Sequence, residues 1–214
     1  MSILLSYYKL YGEIVNKYEP VLTKQFFHGR TEAMRSTTPQ ASSLCRAWTD
    51  PSSTEDKKLE ALRIATKHHG ALIKQSLNGK GVDRHLYALK CIAEKKGLTV
   101  PPFFQSKAWE ALNHTVLSTS NCGNPALRLF GFGPVVNDGF GIGFIIKEDG
   151  LQYSISSKLT SSNSTICKGV GGNASRNWGD VGAIESSAIG ISSNARRGGF
   201  QVQERAFPDL LQWK

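Results

Sequence analysis

The stretch from residue 141 to residue 157 reads GIGFIIKEDGLQYSISS, and in it Glu148-Asp149-Gly150 separates two apolar-rich runs. Short runs that contain β-branched and aromatic residues are typical of β-strands. A short connection that contains glycine is typical of a β-hairpin. The stretch therefore predicts two antiparallel strands, Gly141–Lys147 and Leu151–Ser157.

Two further strand-like runs precede this hairpin, and helical patterns precede those runs. Val116–Ser120 and Leu127–Phe132 are bounded by Gly, Pro, Asn and Asp, as strands commonly are. Before Thr115, apolar residues recur at helical spacing instead. Helices followed by partly antiparallel strands indicate an α/β domain of mixed α+β type with a mixed, largely antiparallel sheet.

The strongest helix pattern begins at Ser53-Thr54-Glu55-Asp56, which offers capping hydroxyls and acidic first-turn residues. Its apolar stripe continues to about Leu77, where Asn78-Gly79 predicts an end. The first helical pattern is interrupted by Gly12 and Pro20, so a helix to roughly residue 17 is expected there. Further helices are predicted at 42–48, 82–97 and 105–112, and the rest of 29–54 is expected to be loop.

The formal net charge of +9 raises the question of a nucleic-acid partner. The basic residues are dispersed, however, and they do not alternate with aromatic residues as in proteins that bind single strands. We therefore expect no nucleic-acid partner. A cationic surface that attracts anionic small molecules, such as phosphorylated cofactors, explains the charge better.

The four cysteines, Cys45, Cys91, Cys122 and Cys167, are far apart and form no CxxC pair. Neither a zinc site nor a disulfide framework is expected from this spacing, so we interpret them as free thiols. No run approaches the roughly 18 apolar residues that a membrane-spanning helix needs. No targeting segment is readable at the start of the sequence.

The composition changes after residue 157. The segment 158–199 is rich in Ser, Gly and Asn and has no periodic apolar face, so the tail 158–214 is expected to be mostly disordered. Gly169–Gly172 suggests a phosphate-binding loop only weakly. It lacks the Lys-Ser/Thr that follows such loops, and no strong strand precedes it.

Ordered blocks in the first 157 residues carry a further resemblance. They are Tyr18-Glu19 with FHGRTEAMRS at 27–36, GVDRHLYALK at 81–90, NHTVLSTS at 113–120 and FGPVVNDGFGIGF at 132–144. These blocks, in this order and at this spacing, resemble the C-terminal part of the choline/carnitine acyltransferase family. The sequence of the last blocks resembles that of the family's inner mitochondrial palmitoyl-transferring members more than that of its acetyl-transferring ones.

The resemblance implies that residues 1–157 are part of a carnitine acyltransferase domain with a partial chloramphenicol-acetyltransferase-like fold, and that 158–214 are an unmatched tail. It implies acyl transfer between acyl-CoA and carnitine in fatty-acid metabolism. Coenzyme A would be the acyl carrier, with no bound cofactor and no metal. The location implied is mitochondrial or peroxisomal, with peripheral membrane association in the full-length family member.

Three residues match the family's carboxylate-binding positions for carnitine. Arg84 matches the arginine, and a planar guanidinium suits a carboxylate because it offers two parallel donors. Tyr18 and Thr31 match the hydroxyls that complete this part of the site. The alternative for Arg84, from the sequence alone, is a surface ion pair with Asp83 or Glu60.

Three residues match the family's positions for the ammonium and the oxyanion. Phe132 matches the aromatic ring that packs on the trimethylammonium, which cannot donate a hydrogen bond. Ser118 matches a serine near that end, and Ser120 matches the donor to the oxyanion of the tetrahedral intermediate. Without the resemblance, Ser118-Thr119-Ser120 is a polar strand end and Phe132 is a strand core residue.

The sequence departs from the family pattern at the general base. The family's catalytic histidine precedes the Tyr-Glu block, as do its CoA-binding lysines, and Pro20 replaces a small polar residue near the carnitine site. The chain is therefore expected to be a fragment with little turnover alone, since losing a general base costs about 10²–10⁴-fold. A non-catalytic carnitine- or acyl-group-binding module is the alternative. The histidines that do not align are His28, His68, His69, His85 and His114.

Overall fold

The computed structural model describes residues 1–124, 126–127, 129–147, 150–158, 184–194 and 199–205. Contacts divide the chain into two compact units, Met1–Thr115 and Val116–Lys214. The described part of the first unit contains five α-helices and two strands, and that of the second contains strands. The predicted α/β fold class, with helices followed by a mixed sheet, is confirmed. The chloramphenicol-acetyltransferase-like comparison stays a prediction.

The first helix, α1, spans Ser2–Tyr11 and ends earlier than the sequence predicted. Gly12 takes a left-handed conformation with φ 72°, and its N–H donates to the carbonyl of Tyr8. Glycine adopts this conformation without a Cβ clash, so it ends the helix before residue 17.

Two strands follow that the sequence analysis missed. Strand β1, Lys17–Leu22, pairs antiparallel with β2, Thr31–Arg35. The prediction of loop at 31–35 is wrong because β2 lacks the usual alternation. It buries Glu32, Ala33 and Met34 in succession, and a charged residue at a buried position hides a strand from pattern analysis.

The helices of the first unit agree with the sequence more closely. Helix α2 spans Pro39–Thr49, with Thr38 as its N-cap, and extends beyond the predicted 42–48. Helix α3 spans Glu55–Leu77, as predicted from the cap at Thr54. The remaining helical elements are α4 at Asp83–Lys95, a short 3-10 helix at Pro102–Gln105 and α5 at Lys107–Asn113.

The described strands of the second unit form a mixed sheet. Strands β3 and β4 are parallel, whereas β4 pairs antiparallel with β5, β5 with β6, and β6 with β7. The predicted hairpin is confirmed by the register Lys147↔Gly150, and residues 148–149 between them lie outside the described residues. The strands are β3 Leu117–Asn121, β4 Phe140–Lys147, β5 Gly150–Lys158, β6 Ile184–Asn194 and β7 Gly199–Arg205.

The predicted strand Leu127–Phe132 does not form at its described positions. Its backbone instead lies against two glycines of β4. A Cβ atom on Gly141 would be 2.2 Å from the carbonyl oxygen of Phe132, and one on Gly143 would be 2.1 Å from that of Phe130. The apolar run is therefore a segment packed on the face of the sheet.

Each unit has its own apolar core. In the first unit, Leu4 of α1 is buried, as are Ala41, Leu44 and Cys45 of α2. In the second unit the buried apolar side chains include residues of three adjacent strands: Leu117, Phe140, Ile142 and Ile155.

The tail beyond residue 157 was expected to be mostly disordered, but the structure places the strands β6 and β7 in it. Strand β6 pairs antiparallel with β5, and this pairing satisfies backbone groups that a free tail would leave to water. The other predictions for the tail, including Gly169–Gly172 and Cys167, fall outside the described residues. The domain boundary at residue 157 stays a prediction.

Candidate functional site

Two of the predicted carboxylate-binding residues lie together in the first unit. Thr31 is the first residue of β2, and Arg84 is the second residue of α4. Nη2 of Arg84 is 3.4 Å from Oγ1 of Thr31, at the long end of hydrogen-bond distances. Arg84 is exposed and Thr31 is half-buried. A guanidinium and a hydroxyl thus stand side by side at an accessible surface of this unit.

The alternative interpretation of Arg84 as half of a surface ion pair fails. Asp83 is bound by Arg35 instead, with 2.7 Å between Oδ2 and Nε. Glu60 lies 3.7 Å from Arg63. Within the described residues, no carboxylate oxygen comes within 4.0 Å of the Arg84 guanidinium. Among the described residues its hydrogen-bond partner is therefore the Thr31 hydroxyl and not an acidic side chain.

Tyr18, the third predicted carboxylate-binding residue, lies on β1 opposite Arg35 of β2. The guanidinium carbon of Arg35 is 5.8 Å from the centre of the Tyr18 ring, a cation–π distance. Nη1 of Arg35 also donates to Oγ1 of Thr115 at 2.6 Å. Arg35 thus links Tyr18 to Asp83, the neighbour of Arg84. Sequence reasoning missed this role, although Arg35 lies in one of the sequence blocks that carry the family resemblance.

In the second unit, Ser118 and Ser120 lie on one face of β3 because side chains alternate along a strand. The parallel register places Ser118 beside Gly141 and Ser120 beside Gly143. Ser118 is only 2% exposed, whereas Ser120 is half-buried and accessible. The predicted interpretation as a polar strand end describes Ser120 better than Ser118.

Phe132 lies on this same face of the sheet, because its carbonyl packs where a Gly141 side chain would stand. The Ser156 hydroxyl of β5 donates to that carbonyl at 2.5 Å. The ring is half-buried, with its centre 5.6 Å from that of Phe130. Phe132 is therefore not a strand core residue. The structure brings Ser118, Ser120 and Phe132 to one face of the second unit's sheet.

Sequence reasoning missed a charged cluster in the first unit, in which Lys17 is buried and Glu19 and His69 are half-buried. Lys17 contacts Glu19 and lies 3.1 Å from the Ser36 hydroxyl. Nε2 of His69, on α3, is 3.1 Å from both Glu19 oxygens. The spacing of Lys17 and Glu19 by two on a strand was the available signal, since such residues share a face.

The cluster shifts the titration of its members. Burial favours the neutral carboxyl of Glu19, but hydrogen bonds from His69 and Lys17 outweigh it and hold the pKa of Glu19 well below its usual range. Burial lowers the pKa of Lys17, against the opposing effect of Glu19. The cluster is thus a compact ion pair within the fold of the first unit.

The family model for choline/carnitine O-acyltransferase matches residues 1–168. The chain belongs to this family. The match passes the boundary predicted at residue 157, and all six predicted site residues of this acyltransferase-family chain lie within it.

Relatives of this acyltransferase-family chain include proteins named for different acyl groups. The putative mitochondrial carnitine O-acetyltransferase of Saccharomyces cerevisiae is 43% identical over 157 residues, which is 72% of this chain and 23% of that protein. Mitochondrial carnitine O-palmitoyltransferase 2 of Xenopus tropicalis is 38% identical, over 75% of this chain and 25% of that protein. Peroxisomal carnitine O-octanoyltransferase of Mus musculus is 35% identical, over 73% of this chain and 26% of that protein.

The chain spans about a quarter of the length of these relatives. The family resemblance read from the sequence is confirmed. Identity over the whole match does not favour the palmitoyl-transferring members over the acetyl-transferring one, so the family assignment covers acyl groups of different length.

Other features of the described residues bear on chemistry only weakly. Cys45, Cys91 and Cys122 are free, and burial raises the pKa of the Cys45 thiol, which disfavours its nucleophilic form. Over the ranges that the structure describes, no cluster of three or more His, Cys, Asp or Glu side chains could hold a metal. Within those same ranges no helix is both long and apolar enough to span a bilayer.

Proposed function

We propose that this chain carries the carnitine-recognising residues of a carnitine O-acyltransferase, which exchanges an acyl group between acyl-CoA and carnitine. The observation that carries the proposal is the guanidinium of Arg84. It lies beside the Thr31 hydroxyl with no carboxylate partner among the described residues, in a chain of this family. An exposed, uncompensated guanidinium next to a hydroxyl is suited to an anionic group.

The carboxylate of carnitine is the anion proposed for Arg84. A guanidinium can bind it through two parallel hydrogen bonds, and the hydroxyls of Thr31 and Tyr18 add neutral donors. Arg35 supports this arrangement from behind, because it holds both the Tyr18 ring and Asp83.

Phe132, Ser118 and Ser120 are proposed for the other groups of the reaction. The half-buried Phe132 ring offers a π-face to the trimethylammonium, worth about 0.5–2 kcal/mol. The accessible Ser120 hydroxyl is proposed to donate to the oxyanion, worth about 3 kcal/mol by analogy with other oxyanion donors. Ser118 is buried, so its proposed role is to shape the ammonium end rather than to bind strongly.

The proposed chemistry is a direct acyl transfer. The hydroxyl oxygen of carnitine attacks the thioester carbonyl, a general base takes the hydroxyl proton, and the tetrahedral oxyanion receives the Ser120 hydrogen bond. The C–S bond then breaks, and the proton passes to the CoA thiolate. None of the five histidines is proposed as the base, so the chain by itself is expected to bind carnitine with little turnover.

Coenzyme A is proposed as the acyl carrier, and the net positive charge suits its phosphates. A mitochondrial or peroxisomal location is proposed because the relatives carry those words in their names.

The test is calorimetric titration of the 214-residue chain with L-carnitine and, separately, with choline, which keeps the ammonium but lacks the carboxylate. We expect Arg84→Ala to weaken carnitine binding at least tenfold and to leave choline binding unchanged, since a charge-assisted pair is lost. Absence of heat with the parent chain would contradict the proposal.

A second assay addresses turnover. Release of CoA thiol from acetyl-CoA and palmitoyl-CoA in the presence of carnitine is expected to stay near background. Robust release that Ser120→Ala abolishes would show that the chain has its own base. The same assays can be run on a longer protein that adds the family's upstream histidine. If that protein binds carnitine but transfers no acyl group, the non-catalytic binding module is favoured.

A further inference from the structure

The helix that carries Arg84 begins without a cap of its own. The N-cap residue of α4 is Val82, whose side chain cannot accept a hydrogen bond. The first backbone N–H groups of a helix have no partner within the helix and need one elsewhere. Helices α2, α3 and α5 solve this locally, with Thr38, Thr54 and Ser106.

For α4 the partner is a carboxylate from β2. Oε1 of Glu32 accepts from the backbone N–H of Arg84 at 3.1 Å and from that of Ala33 at 2.7 Å. Glu32 is only 8% exposed. A negative charge at this end also complements the partial positive charge of a helix N-terminus. Glu32 therefore caps, from a distant strand, the residue whose guanidinium has no carboxylate partner among the described residues.

Gly81 makes room for this cap. A Cβ atom at Gly81 would lie 2.3 Å from Cγ of Glu32 and 2.6 Å from its carboxyl carbon. The requirement is one of space, because the Glu32 side chain runs through the volume that any larger residue would fill.

A second tie joins the same strand to the same helix turn. Nε of Arg35 binds Oδ2 of Asp83 at 2.7 Å. Consecutive helix residues are thus each held by β2, Asp83 through its side chain and Arg84 through its backbone. Thr31, next to Glu32, supplies the hydroxyl beside the Arg84 guanidinium. One strand provides both the anchor for Arg84 and its neighbouring donor.

We propose that Glu32 is a positioning residue for carnitine binding, which sets where Arg84 stands without touching the substrate. The 3.4 Å contact with Thr31 is too long to hold an exposed arginine by itself, so the position of the guanidinium depends on the backbone at Arg84. The proposal rests on the proposed function, because it assigns the effect to the carboxylate of carnitine.

The test compares Glu32→Ala, which removes the cap, with Glu32→Asp, which keeps the charge but shortens its reach. Glu55→Ala is the matched control, since it removes an exposed acidic residue from the first turn of α3. Each chain is measured by hydrogen exchange of the Arg84 amide without ligand, by thermal unfolding, and by titration with carnitine and with choline.

We expect Glu32→Ala to speed exchange of the Arg84 amide and to weaken carnitine binding, each by about tenfold, since a hydrogen bond to a charged group is lost. Glu32→Asp is expected to do the same to a smaller extent and to stay folded. Choline binding and the Glu55→Ala control should not change. A purely structural role would weaken both ligands together, or neither.

Two results would overturn the proposal. One is unchanged exchange at the Arg84 amide in both Glu32 variants. The other is unchanged carnitine affinity in those variants while Arg84→Ala still weakens it. A parent chain that binds no carnitine would instead overturn the proposed function, and the exchange rate would still decide whether Glu32 holds the start of α4.

Discussion

The imidazole of His69 contacts both carboxylate oxygens of Glu19, with Nε2 3.1 Å from each. Lys17 contacts the same carboxylate and lies 3.1 Å from Ser36. A carboxylate held this way is ionised far below its usual pH range, so the stability of the first unit depends on acidity.

We predict that Glu19→Gln removes part of this acid sensitivity. The pKa of Glu19 is lowered on folding, so the unfolded chain binds more protons as the pH falls below about 4.5, its ordinary value. The stabilisation is therefore present above that pH and is lost as the pH falls below it. At pH 7 the free energy of unfolding of the variant should be about 3 kcal/mol lower than that of the parent chain, because Lys17 stays buried without its partner.

Urea unfolding between pH 3 and pH 7 measures this difference, and Glu60→Gln, an exposed pair with Arg63, is the control. The difference in the free energy of unfolding between the parent chain and Glu19→Gln should become smaller towards pH 3. A gap that stays constant over this range would contradict the ionised state of Glu19.

Arg35→Lys is predicted to destabilise the first unit by about 2 kcal/mol. A lysine keeps the charge but cannot bind Asp83 and Thr115 with two separate nitrogens while also stacking on Tyr18. Thermal unfolding measures the loss, and Arg63→Lys, at an exposed pair, should change stability by less than about 0.5 kcal/mol. Equal effects of the two substitutions would argue against a special role for Arg35.

Gly143→Ala is predicted to destabilise the second unit by more than about 2 kcal/mol. The added methyl group would lie 2.1 Å from the carbonyl oxygen of Phe130, and backbone cannot move aside cheaply. Gly70→Ala is the matched control. Beyond its chain neighbours and the backbone of its own helix turn, no described atom lies within 4 Å of the added Cβ. Alanine is the better helix former, so a gain of about 1 kcal/mol is expected. Calorimetric unfolding of both variants should give shifts of opposite sign.

Ser156→Ala is predicted to loosen the segment that carries Phe132. The hydroxyl donates to the Phe132 carbonyl, and its removal should cost about 1 kcal/mol. Ser52→Ala, which removes an exposed hydroxyl bonded to Asp50, should cost much less. The two variants are compared by the hydrogen-exchange rates of their backbone amides and by their thermal unfolding. Identical, negligible changes would mean that the segment is held by packing alone.

The parts of the fold that local chemistry determines were predictable. Helix α3 follows from the hydroxyl of Thr54, the acidic first turn and the apolar stripe, all within one stretch of sequence. Strands β1 and β2 were not predictable, because two of their charged residues pair with groups far away in the sequence. Glu19 needs His69, and Glu32 needs the backbone of Arg84.

The candidate site also has a part that was predictable from the sequence and a part that was not. The six residues and their proposed roles follow from sequence blocks that resemble the family, since that resemblance lies in the sequence itself. The supports of those residues come from contacts between distant elements. Arg35 behind Tyr18, and Glu32 under Arg84, could be found only from the structure.

The side chains of strand β1 alternate between its two faces, with Lys17 and Glu19 on the face towards His69 and Tyr18 on the opposite face. Deleting one residue inside the strand would turn Tyr18 towards His69 and a charged side chain towards the face that Tyr18 now occupies. Evolution of this segment should therefore tolerate substitutions far more readily than changes of length.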